Sequence, residues 1–148
     1  MDNKNQTARL ESVINIAEEE EKKAITALAK CREELQGQER QLDDLNLYLK
    51  EYQENMVNPD SYGDISQVRN RYAFLNKLDL AISSQQSQIE AWQEQENMLR
   101  QVWMEKRVRC RALAKASSNR EELFKREQRK KEQKMVDDIN SGRSARGK

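Results

Sequence analysis

Apolar residues recur along the first part of the chain at alternating steps of four and three. The series is Leu10, Ile14, Ala17, Ala24, Leu28, Cys31, Leu35, Leu42, Leu45, Leu49, Tyr52 and Met56, interrupted only by Glu21 and Gln38. This is a coiled-coil heptad, with Ile14, Glu21, Leu28, Leu35, Leu42, Leu49 and Met56 at the a positions. A strict seven-residue repeat held over six heptads sets a left-handed supercoil. A second seam follows. Its a positions are Val68, Leu75, Ile82, Ile89, Glu96, Trp103 and Cys110; its d positions are Arg71, Leu78, Gln85, Trp92, Leu99, Lys106 and Leu113. Four polar residues intrude, so this seam is the weaker of the two.

Between the seams lies the only proline of the chain, in Asn58-Pro59-Asp60-Ser61-Tyr62-Gly63. Pro59 pushes Asn58 out of the α region and ends the first helix near Val57. The residues that follow are turn formers, and Gly63 can take positive φ. Asp64 is placed to cap the second helix, with Gln67 three residues on as its capping-box partner. Two amphipathic helices joined by so short a turn lie antiparallel. The pattern thus predicts an all-α fold: an antiparallel two-helix coiled coil, or helical hairpin, as a single domain over 1–140. Its helices run from about 5 to 57 and from about 65 to 140, around a turn at 58–64. The second helix outruns the first and is expected to lack a partner beyond about Leu113. Residues 141–148, SGRSARGK, are expected to be a flexible, disordered basic tail.

Antiparallel packing sets a beside d, so facing residue numbers sum to 120 or to 127, and the sequence leaves both registers open. The second pairs Glu21 with Lys106 and sets Trp103 over Ala24. Either way Cys31 and Cys110 stand too far apart along the helices for a disulfide.

Composition supports the narrow seam. Charged residues make up 36% of the chain and aromatics 5%, too polar for a sizeable globular core. The net charge of +1 hides a division, with −6 over residues 1–60 and +7 over 61–148. Those halves attract each other side by side. No segment is apolar enough to span a membrane, and the start carries no secretory h-region, so a cytosolic protein is expected.

Chemistry has little to stand on. The chain has no histidine, no Gly-rich phosphate loop and no cysteine spacing for metal or redox work. The expectation is a protein that is not an enzyme, with no cofactor, no metal and no small-molecule substrate. Lys125–Lys134 holds six basic residues interleaved with Glu127 and Glu132, and only Phe124 beside it as a stacking aromatic. That fits a solvated helix face better than a nucleic-acid site.

The two flanks of the hairpin differ. The e flank is polar apart from Ile25 and Tyr72. On the g flank near the turn, Gln41 and Tyr48 face Phe74 and Ala81. Tyr48 and Phe74 either widen the seam or anchor a partner. With Leu45, Tyr52 and Leu78 they form an apolar stripe of the kind that marks an interaction surface. Trp92 and Trp103 lie on the seam and are read as core.

The segments ERQLDDLNLYLKEYQ (39–53), RYAFLNKLDLAISSQQSQIEAWQ (71–93) and VWMEKRVRCRAL (102–113) carry a resemblance to the FliJ family, over nearly the whole chain. Members are coiled-coil proteins of the bacterial flagellar type III export apparatus. The resemblance implies a non-enzymatic cytoplasmic stalk, similar in shape to the central γ stalk of rotary ATP synthases. It would sit peripherally at the cytoplasmic face of the inner membrane, at the flagellar base. Its implied partners are the hexameric export ATPase, the membrane protein of the export gate, and export chaperones that it helps to cycle. Carried residue by residue, the gate-binding face is Gln41, Leu45, Tyr48, Tyr52, Phe74, Leu78, Ala81 and Gln85, with Gln85 standing where a related member has histidine. The contact with the ATPase ring falls to the basic end of the second helix, at Arg120, Phe124, Lys125, Arg129 and Lys130. The corresponding stalk of a virulence-type secretion system and a generic coiled-coil scaffold are the alternatives.

Overall fold

A computed structural model describes residues 2–57 and 64–146, as two helices, α1 (Asp2–Val57) and α2 (Ile65–Arg146). They pack against each other as a helical hairpin. The turn expected around Pro59 lies outside the described residues, as do the last two residues of the tail. α1 begins three residues earlier than the periodicity suggests. α2 continues to Arg146, past its expected end at about 140.

The heptads choose what is buried. Ala17, Leu28, Cys31, Leu35, Leu78, Ile82, Gln85 and Ile89 are the buried side chains among those described, and each stands at an a or d position. Leu28 is fully enclosed, at 0% exposure. Every other seam position from Leu10 to Met56 and from Val68 to Leu113 is half-buried, Trp92 and Trp103 included. A stripe this narrow is what two helices alone can cover.

The chain divides into two compact units. One is Lys22–Met104; the other joins Met1–Glu21 to Glu105–Lys148. In the first, the Gln85 amide Nε2 donates to the Gln38 carbonyl at 2.9 Å and to Gln38 Oε1 at 2.7 Å. Arg32 Nε donates to Glu96 Oε1 at 3.3 Å, and the Cys31 thiol lies 3.8 Å from the Trp92 carbonyl. In the second, Lys106 Nζ pairs with Glu20 Oε2 at 3.1 Å. The partner of Lys106 is thus Glu20 rather than Glu21, whose carboxylate takes the Cys110 thiol instead. Ser117 and Arg120 are also half-buried, and Arg120 Nη2 donates to Gln6 Oε1 at 2.7 Å. Pairing therefore reaches Arg120, seven residues past the expected limit at Leu113. The early start of α1 supplies the extra partner surface.

Within the Lys22–Met104 unit the register falls between the two expected ones. Gln38 and Gln85, and likewise Cys31 and Trp92, have numbers summing to 123. Seam residues of like position (d beside d) therefore meet. At the start of α2, Asp64 stands where the cap was expected. Its carboxylate accepts from the Ile65 N–H at 2.9 Å, while its backbone carbonyl takes the Gln67 and Val68 N–H groups at 3.0 and 3.1 Å. The side-chain bond thus goes to the first helical residue, not to Gln67.

Gly37 lies inside α1, and a Cβ there meets nothing within 4 Å. Gly37→Ala is expected to raise stability by about 1 kcal/mol, the helix-propensity difference, as a higher urea midpoint with unchanged slope. A lower midpoint would mean that the glycine serves a packing need. Both thiols ionise above their ordinary value of 9.0: Cys31 through burial and then Glu96, Cys110 through burial and then its bond to Glu21. A raised folded pKa gives stability that is complete below 9.0 and lost as pH climbs through the shifted values. Changing both cysteines to alanine should remove that part of the alkaline decline. Superimposable pH profiles of the urea midpoint in the two proteins would contradict it.

Candidate functional site

The candidate surface lies within the Lys22–Met104 unit, on the last turns of α1 and the first turns of α2. Tyr48 and Tyr52 are four residues apart, so α1 stacks them on one face. Phe74 of α2 reaches between them. Its ring centroid is 5.9 Å from that of Tyr48, edge-on at 76°, and 4.8 Å from that of Tyr52, tilted at 46°. These are the edge-to-face and tilted geometries that ring quadrupoles favour.

The cluster is not closed over. Tyr48 is 50% exposed, and Tyr52, Phe74 and Leu45 are half-buried. Gln41 and Ala81 are exposed beside it. Tyr48 and Phe74 therefore widen the seam and are still not enclosed by it. They touch each other across the helices, and they keep a ring face toward solvent. Leu78 and Gln85 differ, at 6% and 8% exposure. They belong to the packed seam under the surface, and the Gln85 amide spends its hydrogens on Gln38.

Gln41, Asp44, Leu45 and Tyr48 line a shallow depression of about 450 Å³. Asp44 was not foreseen as part of it. The clue was its helical spacing, three residues after Gln41 and four before Tyr48. Leu47 and Leu80, 56% and 71% exposed, flank Tyr48 and Ala81 in the sequence. The heptad search passed over them because it scored only seam and flank positions.

A second concavity, about 670 Å³, lies in the other unit, between the first turns of α1 and residues 117–127 of α2. Leu10 and Ala8 on α1 and Leu123 and Phe124 on α2 supply its apolar walls. Arg120 and Lys125 stand at it too, whereas Arg129 and Lys130 lie further along α2, fully outward. Phe124 is the next a position after Ser117, yet it is 47% exposed because α1 has run out. From Glu121 to Arg143 every side chain is exposed.

These surfaces suit binding by contact. Half-exposed rings gain when a partner removes them from water, at ~25 cal/mol per Å², and the tyrosine hydroxyls remain to orient the partner. Among the described residues no group of three or more metal-ligating side chains is arranged to hold an ion. No described helix is long and apolar enough to cross a membrane.

Comparison with known proteins gives one match. The flagellar FliJ protein family model covers residues 6–148, essentially the whole chain. No curated protein and no solved structure matches. A full-length family match, on a chain that folds as two long paired helices, leads to one conclusion: the chain belongs to the flagellar FliJ protein family, non-catalytic structural components of the flagellar export apparatus.

Proposed function

We propose that the hairpin is a stalk linking the hexameric export ATPase to the membrane protein of the export gate, and that it assists the cycling of export chaperones. It works in the cytoplasm, held peripherally at the inner membrane by its partners. The observation that carries this reading is the half-exposed Tyr48–Phe74–Tyr52 cluster in a chain of this family. An aromatic group that two helices leave uncovered is a ready anchor for a gate protein.

Within that face the roles divide. Tyr48, Tyr52 and Phe74 are the anchors, Leu45 fills between them, and Gln41 and Ala81 form the rim. Leu78 supports from below. At the other unit, Arg120, Phe124, Lys125, Arg129 and Lys130 meet the ATPase ring. Phe124 offers an apolar contact and the cations offer charge. The match to a flagellar family favours this system over the virulence-type equivalent.

Replacing Tyr48 and Phe74 together with alanine is expected to leave helical content nearly unchanged. It should weaken binding to the gate's cytoplasmic domain by ~30-fold, or about 2 kcal/mol, read by calorimetric titration. A large loss of ellipticity would return both rings to the core and sink the anchor assignment. At the other unit, reversing Lys125, Arg129 and Lys130 to glutamate should reduce affinity for the export ATPase on the order of tenfold, with wild-type binding falling as salt is raised. Undiminished stimulation of ATP hydrolysis by the triple variant would remove these residues from the ring contact.

A further inference from the structure

We infer that Gln85, together with Gln38, is a positioning residue: the pair pins the two helices in the register that brings Tyr48, Tyr52 and Phe74 together. This deepens the reading above by assigning Gln85 a role beneath the partner face instead of on it. The starting observation is chemical. Gln85 is the one polar side chain among the buried residues of those described, and its amide Nε2 donates to both the Gln38 carbonyl and Gln38 Oε1.

The apolar seam around the pair does not set a register by itself. Leu35 and Leu42 on α1, and Ile82 and Ile89 on α2, are similar in volume and recur at seven-residue spacing, with Leu78 four residues before Ile82. Sliding one helix past the other by a heptad puts leucine and isoleucine back against leucine and isoleucine. The ends resist weakly. Loop closure becomes costlier only slowly as a loop lengthens. At the far end α2 continues beyond Arg120, so α1 keeps a surface to lie on after a slip.

The glutamines do discriminate. One heptad one way brings Gln85 level with Leu45 and Gln38 level with Trp92; the other way, the neighbours are Cys31 and Leu78. None of Leu45, Trp92, Cys31 and Leu78 offers a side-chain oxygen to a glutamine amide. Each slip therefore takes from Gln85 the side-chain acceptor it has on Gln38, leaving that buried amide short of a partner. Lone polar pairs at seam positions are known to specify coiled-coil alignment in this way.

Register decides the partner face. A heptad slip is an axial shift of ~10 Å. That shift takes Phe74 from between Tyr48 and Tyr52, whose centroids now lie 5.9 and 4.8 Å from it. The helices would remain folded, but the three rings would no longer form one cluster.

The test reads register without any partner, so its result stands apart from whether the aromatic face binds the gate. Spin labels go on cysteines replacing the exposed Glu33 and Ser84, with Cys31 and Cys110 changed to alanine. These positions are staggered along the helices, so a slip alters their separation. With both glutamines present, one narrow distance distribution is expected. In Gln38→Leu/Gln85→Leu a second population should appear, displaced on the order of 5 Å for a ~10 Å slip. Its melting temperature should equal or exceed that of the labelled parent, which separates lost register from lost folding. A double-leucine protein that keeps one narrow distribution overturns the inference. So does a parent protein that already shows two.

Discussion

A helix so rich in charge has one stripe to bury, and the rest of this structure depends on that stripe finding its match. The chain is 36% charged, and the buried side chains among its described residues, all at heptad positions, form a narrow line on each helix. Nothing else holds α1 to α2 as strongly. The ion pairs Arg32–Glu96 and Lys106–Glu20 join partly exposed groups, and such pairs contribute ~0–1 kcal/mol each. The acidic first half and basic second half therefore help to orient the helices, while the apolar line supplies most of the adhesion.

A stripe this narrow has a cost. Each polar residue on it must be satisfied or it weakens the joint, because a buried unpaired polar group costs ~1–3 kcal/mol. The chain meets this in three ways. Gln38 and Gln85 satisfy each other; Glu96 and Lys106 turn to the flank and pair with Arg32 and Glu20; Glu21 takes the Cys110 thiol. Apart from Arg71, positions that look like defects in the heptad count are therefore the places where the two helices recognise each other. Such contacts add little net stability, but they penalise misalignment.

The same physics explains what the sequence made legible. The a and d positions were readable because a period of 3.5 is a property of spacing, and every one from Leu10 to Met56 and from Val68 to Leu113 is at least half-buried. The register was not readable, because an apolar repeat fits itself at more than one offset and only side-chain reach selects one. The sum of 123 at Gln38–Gln85 lies between the two values that ideal a-beside-d layers allow. Helix ends were blurred for a related reason. Asp2 to Gln6 and Ser141 to Arg146 carry no periodic apolar signal, yet the backbone hydrogen bonds continue through them. At the candidate site, Tyr48 and Phe74 were found by standing off the seam. Leu78 joined them as a seam residue beside the stripe, and Gln85 by resemblance alone, which transfers a position without its exposure.

The exposed end of α2 completes the contrast between the units. A lone helix is marginal in water, and residues 121–143 have no seam to hold them. Their order comes from local terms. Glu121, Glu122 and Glu127 each stand four residues before Lys125, Arg126 and Lys131, the favoured orientation for helical ion pairs at ~0.2–0.5 kcal/mol each. Glutamate, lysine, arginine and glutamine, all good helix formers, fill most of the intervening positions. A segment that is already close to helical pays less ordering entropy when a partner closes on it. The two candidate surfaces thus prepare for binding differently: the aromatic cluster is fixed by tertiary register, whereas the cationic helix is fixed by its own sequence and keeps every side chain available.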